Sequence, residues 1–149
     1  MKVTLKDIDR ENFKQCIRLE VNEEQKSFVA PNVFSIAQSK VEPTYNVQAV
    51  YDGEEMVGFV MYGWDEEEGC HSLGRLMIDK NHQGKGYGRA ATEEVIRRLK
   101  AEPDCRQIVL SVNPANASAQ VLYESLGFVK TGEVSHGEEV MRLRFEEES

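Results

Sequence analysis

Between Leu76 and Ala91 an apolar run, Leu76-Met77-Ile78-Asp79, passes into the loop Gln83-Gly84-Lys85-Gly86-Tyr87-Gly88, and a helix begins directly after it at Arg89-Ala90-Ala91. No other stretch constrains the chain as much. Glycines at 84, 86 and 88 let the backbone approach an anion closely. Successive N–H groups at a helix N-terminus, with the positive end of the helix dipole behind them, form a cradle for phosphate. Lys85 and Arg89 add formal positive charge beside it. A strand, a glycine loop and a helix in this order predict that the chain binds a phosphorylated ligand near its middle.

The details of the loop narrow the ligand. Gly86-x-Gly88-x-x-Ala91 matches a loose dinucleotide fingerprint, but that reading needs an acidic residue at the end of the next strand. The next strand, Gln107 to Val112, runs into Asn113-Pro114, with no acid there. Nor does either glycine begin a Walker-type G-x-x-x-x-G-K-[ST] run. The spacing that remains is Gln-x-x-Gly-x-Gly, at Gln83, Gly86 and Gly88, after a strand. A second segment, Asn113-Pro114-Ala115-Asn116 through Tyr123 to Gly127-Phe128, reads as a strand end followed by a helix. Gly127 suits the left-handed position that closes that helix. Together the two segments resemble the acetyl-CoA site of the GNAT superfamily of N-acetyltransferases. The fold class this implies is α/β (α+β), a single mixed, mostly antiparallel sheet with splayed central strands flanked by helices.

Length and composition agree with one domain over residues 1–149 and one core, since 40% of the 149 residues are hydrophobic. The longest apolar run, Met56 to Trp64, is too short to span a bilayer, and no charged-then-apolar signal segment opens the chain. Cys16, Cys70 and Cys105 are scattered, and His71, His82 and His136 form no cluster. These features predict a reduced cytoplasmic protein with surface histidines, no metal and no membrane partner. A net charge of −8 argues against a nucleic-acid partner and tolerates a cationic one.

Periodicity predicts a strand over 1–5, a helix over 12–22 with Phe13, Cys16, Ile17 and Glu20 sharing a face, and a short helix capped by Ser35 and running to Val41. A hairpin over 45–51 and 56–64 turns at Asp52-Gly53, followed by an acidic loop over 65–69. Then come a strand over 72–79, an amphipathic helix over 87–100 with Ala91, Val95 and Leu99 inward, a strand over 107–112 and a helix over 116–126. A last hairpin, 129–134 and 139–145, turns at His136-Gly137.

The resemblance assigns roles within this frame. Gln83, Gly84, Lys85, Gly86, Tyr87, Gly88 and Arg89 would hold the pyrophosphate of acetyl-CoA. Met77 and Ile78 would offer backbone groups to the pantetheine arm, with Asn113 and Asn116 on the opposite strand end and helix. Tyr123 would act as the acid that meets the departing sulfur. No residue is assigned as base, because the 72–79 strand carries no Glu where many relatives place one. Several stretches, among them Gly58-Phe59-Val60-Met61-Tyr62-Gly63 and Gly132-Glu133-Val134, are similar to bacterial spermine/spermidine acetyltransferases. A thin polycation needs spaced carboxylates and an apolar wall. Glu20, Glu24, Glu66, Glu67 and Glu68 could supply the first, and Phe28, Tyr62 and Trp64 the second. A peptide N-terminus, an aminoglycoside, or a non-catalytic acyl-CoA sensor are the alternatives. Relatives are often dimers, which suggests a homodimer.

Overall fold

The computed structural model describes residues 1–145. Seven strands form one sheet in the order β1-β2-β3-β4-β5-β7-β6. They are β1 (Thr4–Asp7), β2 (Tyr45–Asp52), β3 (Glu55–Asp65), β4 (Cys70–Ile78), β5 (Gln107–Val112), β6 (Val129–Ser135) and β7 (Glu138–Arg144). Four helices, α1 (Phe13–Arg18), α2 (Asn32–Val41), α3 (Tyr87–Lys100) and α4 (Ala117–Ser125), fall in the predicted order among them. Every neighbouring pair is antiparallel except β4 and β5.

β3 is buried without a break from Met56 to Tyr62 because both faces of the sheet are covered there. On one face Tyr87, Ala91, Val95 and Leu99, spaced one turn apart along α3, pack with Tyr123 of α4 against Val57, Val60 and Ile108. On the other, Cys16 of α1 and Ile36 of α2 meet Phe59, Met61 and Met77. β4 and β5 pair only at His71↔Ile108 and Ser72↔Val109, and beyond those residues they part. A bulge accompanies the parting. Met61 pairs with Arg75 but Tyr62 pairs with Leu73, so Gly74 is the extra residue on β4. A Cβ at Gly74 would stand 2.9 Å from Met61 Cε, so the position has little room for a side chain.

Four expectations need correction. α1 ends at Arg18 rather than Asn22, because Leu19 is extended. Cys16 is its buried residue, whereas Phe13 and Ile17 lie exposed. α2 starts at Asn32 on the carbonyl of Pro31, which accepts from Phe34 and Ser35 N–H, so Ser35 is an interior, fully buried helical residue and not the cap. The β2–β3 turn falls one residue later than predicted, with Asp52 paired to Glu55. His71 is buried, its Nε2 lying 3.1 Å from Asp104 Oδ1, and is not a surface residue.

Candidate active site

The parting of β4 and β5 opens a cleft of about 740 Å³. Leu73–Ile78 on β4 and Leu110–Val112 on β5 have no ladder partner across the gap. Of the residues singled out from the sequence, Phe28, Met77, Ile78, Gln83, Gly84, Gly86, Tyr87, Gly88, Arg89, Asn113, Asn116 and Tyr123 line this cleft. Lys85 is exposed and lies outside the lining.

The loop at its base owes its shape to two glycines. Gly84 (φ 79°) and Gly86 (φ 91°) occupy the left-handed region, and Gly86 is the N-cap of α3. The first intrahelical bond here is Ala90 N–H to the Gly86 carbonyl, at 3.1 Å. The N–H groups of the preceding residues in the first turn therefore face the cleft side unpaired within the helix, backed by the α3 dipole. Side chains brace the loop from outside. Gln83 Nε2 donates to the Ile78 carbonyl at 3.0 Å and to Gln25 Oε1 at 2.8 Å, and Gln83 Oε1 accepts from Asn22 Nδ2 at 3.2 Å. Asp79, nearly buried, accepts from the N–H groups of Glu20 (3.0 Å) and Asn81 (3.1 Å). Arg89 reaches Ser125 Oγ at 2.7 Å and Glu93 at 3.2 Å.

On the far wall, Asn113 Oδ1 accepts from Ala115 N–H at 2.9 Å, and Asn116 Oδ1 caps α4 by accepting from Ala119 N–H at 3.3 Å. α4 ends in a Schellman motif: Phe128 N–H donates to the Tyr123 carbonyl at 3.0 Å and Gly127 N–H to Glu124 at 3.1 Å, with Gly127 at φ 101°. Tyr123, three residues before the C-cap, packs its ring edge-on against Phe128 at 5.8 Å between centroids. Burial pushes its phenol well above the ordinary tyrosine range, so it holds its proton at neutral pH.

A second cavity, of about 160 Å³, shares Leu73, Gly74, Arg75, Leu110 and Ser111 with the cleft. It extends to Gln38, Tyr45, Asp65, Glu67, Glu68 and His136. Asp65 Oδ1 orders its acidic rim by accepting from Glu67 N–H (2.9 Å) and Glu68 N–H (3.1 Å). Glu68 also pairs with Arg142 at 2.7 Å, and Glu67 stands 3.6 Å from His136 Nε2.

Five of the sequence-predicted acceptor residues lie elsewhere. Tyr62 belongs to the core on the α3 face, its hydroxyl donating to Gln48 Oε1 at 2.6 Å and accepting from Arg98 at 3.1 Å. Glu20 is drawn to Lys80 (2.6 Å) and Lys26 (3.6 Å), which hold its carboxyl below the usual range. Glu24 and Glu66 line neither cavity. Trp64 packs against His71 at 5.2 Å between ring centroids. Sequence reasoning missed Arg75 and Glu138 as lining residues. Glu138 is the carboxylate of the larger cleft and accepts from Ser111 Oγ at 3.0 Å. Their residue types give no signal, because only the bulge and the strand order bring them together.

The fold is a mixed sheet split between β4 and β5, with a glycine loop and the N-terminus of α3 at one end of the split. The acetyltransferase (GNAT) family profile matches residues 5–128, and the chain belongs to that family. It is an N-acetyltransferase, and GNAT acetyltransferases use acetyl-CoA as donor. The chain is 30% identical over 148 residues to the spermine/spermidine N(1)-acetyltransferase of Bacillus subtilis (strain 168), covering 95% of this chain and 97% of that relative. Among solved structures it resembles the Vibrio cholerae spermidine N-acetyltransferase in complex with CoA and spermine, with a TM-score of 0.73 and 20% identity over 95% of this chain and 93% of that one. AAC(6')-Ib, solved with parmomycin and acetyl-CoA, superposes with a TM-score of 0.79 at 14% identity, covering 97% of this chain and 94% of that one. At these identities the two structures speak for the fold.

Proposed function

We propose that this enzyme acetylates a primary amine of a polyamine of the spermidine or spermine type. The observation that carries the acceptor is the acidic cavity rimmed by Asp65, Glu67 and Glu68, which opens into the main cleft across a shared floor. The name of the Bacillus subtilis relative supports the same acceptor.

Donor binding rests on the cradle. The left-handed glycines and the unpaired first turn of α3 suit a pyrophosphate, and Lys26 and Arg89 add positive charge to the lining. The edge of β4 at Met77 and Ile78 has no ladder partner on β5 and suits an amide-bearing arm lying along it as an added strand would, with the Ile78 carbonyl already accepting from Gln83 Nε2. Asn116 keeps its amide N–H groups for the same arm while its oxygen caps α4.

When bound, acetyl-CoA supplies a thioester whose carbonyl carbon accepts an amine. Tyr123 holds a proton at Oη beside the cleft and offers it to the departing sulfur. The gap between β4 and β5 orients donor and acceptor from opposite sides.

Thiol release from acetyl-CoA over a panel of amines tests the reading. Saturable turnover of spermidine or spermine is the expected result. Saturable turnover of a peptide amine or an aminoglycoside, with none of either polyamine at millimolar concentration, overturns it.

A further inference from the structure

Arg75 is the cation at the junction of the two cavities. The bulge at Gly74 places it opposite Met61, on the sheet face that α2 covers. Its Nη1 donates to Ser35 Oγ at 3.1 Å and Gln38 Oε1 at 2.6 Å and lies 3.7 Å from Met61 Sδ. The guanidinium carbon stands over the Phe34 ring at 5.3 Å. All four neighbours are neutral, and among the described residues no carboxylate pairs with it. The titratable groups that act on it through space are Tyr45 of β2, Glu42 just after α2, and Glu138 of β7 on the far lip. Burial pushes the Tyr45 phenol up to about 12, so that group is uncharged at neutral pH. A guanidinium keeps its proton in proteins. A fixed positive charge therefore stands in the wall that the two cavities share.

That charge opposes an ammonium and leaves a neutral amine unopposed, just as a neighbouring cation activates a buried lysine nucleophile. We propose that Arg75 keeps the reacting nitrogen of the acceptor in its neutral form and thereby selects amines whose remaining positive charge lies at their far end, against Asp65 and Glu67. The far-end contact rests on the polyamine reading; the action of Arg75 on the reacting nitrogen does not. The ammonium gives one proton to water in the open cleft. Its lone pair then forms the C–N bond with the acetyl carbonyl carbon, and the C–S bond breaks with its electron pair on sulfur. Sulfur takes the Tyr123 proton, and the proton shed by the new amide nitrogen restores Tyr123. One proton is released overall.

The test is the pH profile of kcat with saturating acetyl-CoA and spermidine, since kcat reports ionisations within the bound complex. In R75Q the acid limb moves up by about one pH unit or more, and the variant approaches the parent rate at alkaline pH. R75K retains the charge and keeps the parent limb. R75M, which preserves the apolar stem against Phe34, replaces R75Q if melting shows that R75Q does not fold. An unmoved limb in the neutral variants overturns the proposal, and so does a selective loss of carboxylate-bearing amines without a shift, which makes Arg75 a carboxylate anchor. Should spermidine fail and another amine of the panel turn over, the polyamine reading falls, and the limb read with that amine decides the role of Arg75 independently.

Discussion

The two ends of the split sheet are built by different means. The proposed donor end is largely one continuous piece of chain, from the end of β4 through the glycine loop into α3, and the groups it offers are mostly backbone N–H and C=O. The acceptor end is assembled from side chains of α2, β2, β4, the loop after β3 and the turn before β7. Backbone recognition tolerates side-chain change provided the φ angles survive, so it suits a donor common to a whole family. Side-chain recognition changes with each substitution, and the proposed reading places acceptor specificity there.

The largest effect is expected at Tyr123, which lines the main cleft. Tyr123→Phe keeps the ring against Phe128 and removes only the hydroxyl. A positioned acid contributes roughly 10²–10⁴-fold, so kcat should fall within that range while calorimetry finds acetyl-CoA affinity intact. A rate within threefold of the parent would make Tyr123 a packing residue.

Next in size is Gly86→Val, which puts a β-branched residue at φ 91°. Acetyl-CoA affinity should drop by about tenfold or more as the cradle distorts, with spermidine KM little changed. Unchanged calorimetric affinity in a folded variant would remove the cradle from donor binding. A smaller effect belongs to the acidic rim. Glu67→Gln with Glu68→Gln should raise the spermidine KM several-fold and leave that for acetyl-CoA alone, the more so because Arg142 then loses its 2.7 Å partner. Equal effects on both substrates would erase the division between the two ends. Salt should give the smallest effect. Screening acts over about 8 Å at physiological ionic strength, so the spermidine KM should climb with added salt and the acetyl-CoA KM should respond less.

The glycine loop and the helix after it were legible because their causes are local. Glycines at 84, 86 and 127 sit where the backbone adopts positive φ, and the i, i+4 stripe of α3 points inward as its period requires. Local reasoning failed where a distant contact decided the outcome. Phe13 and Ile17 suggested a longer amphipathic α1, yet the chain leaves the helix at Leu19. The next residue, Glu20, then spends its backbone on Asp79 and Lys80: its N–H donates to Asp79 Oδ1 at 3.0 Å and its carbonyl accepts from Lys80 N–H at 2.8 Å. Tyr62 could be read as a cavity wall because alternation along β3 does not say which helices cover which face.

By itself, then, the sequence determined the order of the elements, the glycine loop ahead of α3 and the turn glycines, since each depends on a few neighbouring residues and on backbone sterics. Only the tertiary structure decided that Arg75 and Glu138 line the main cleft while Tyr62 does not. One extra residue at Gly74 resets which side of β4 each later side chain takes, and the strand order sets what lies opposite. Neither is encoded in any stretch short enough to be read as a local pattern.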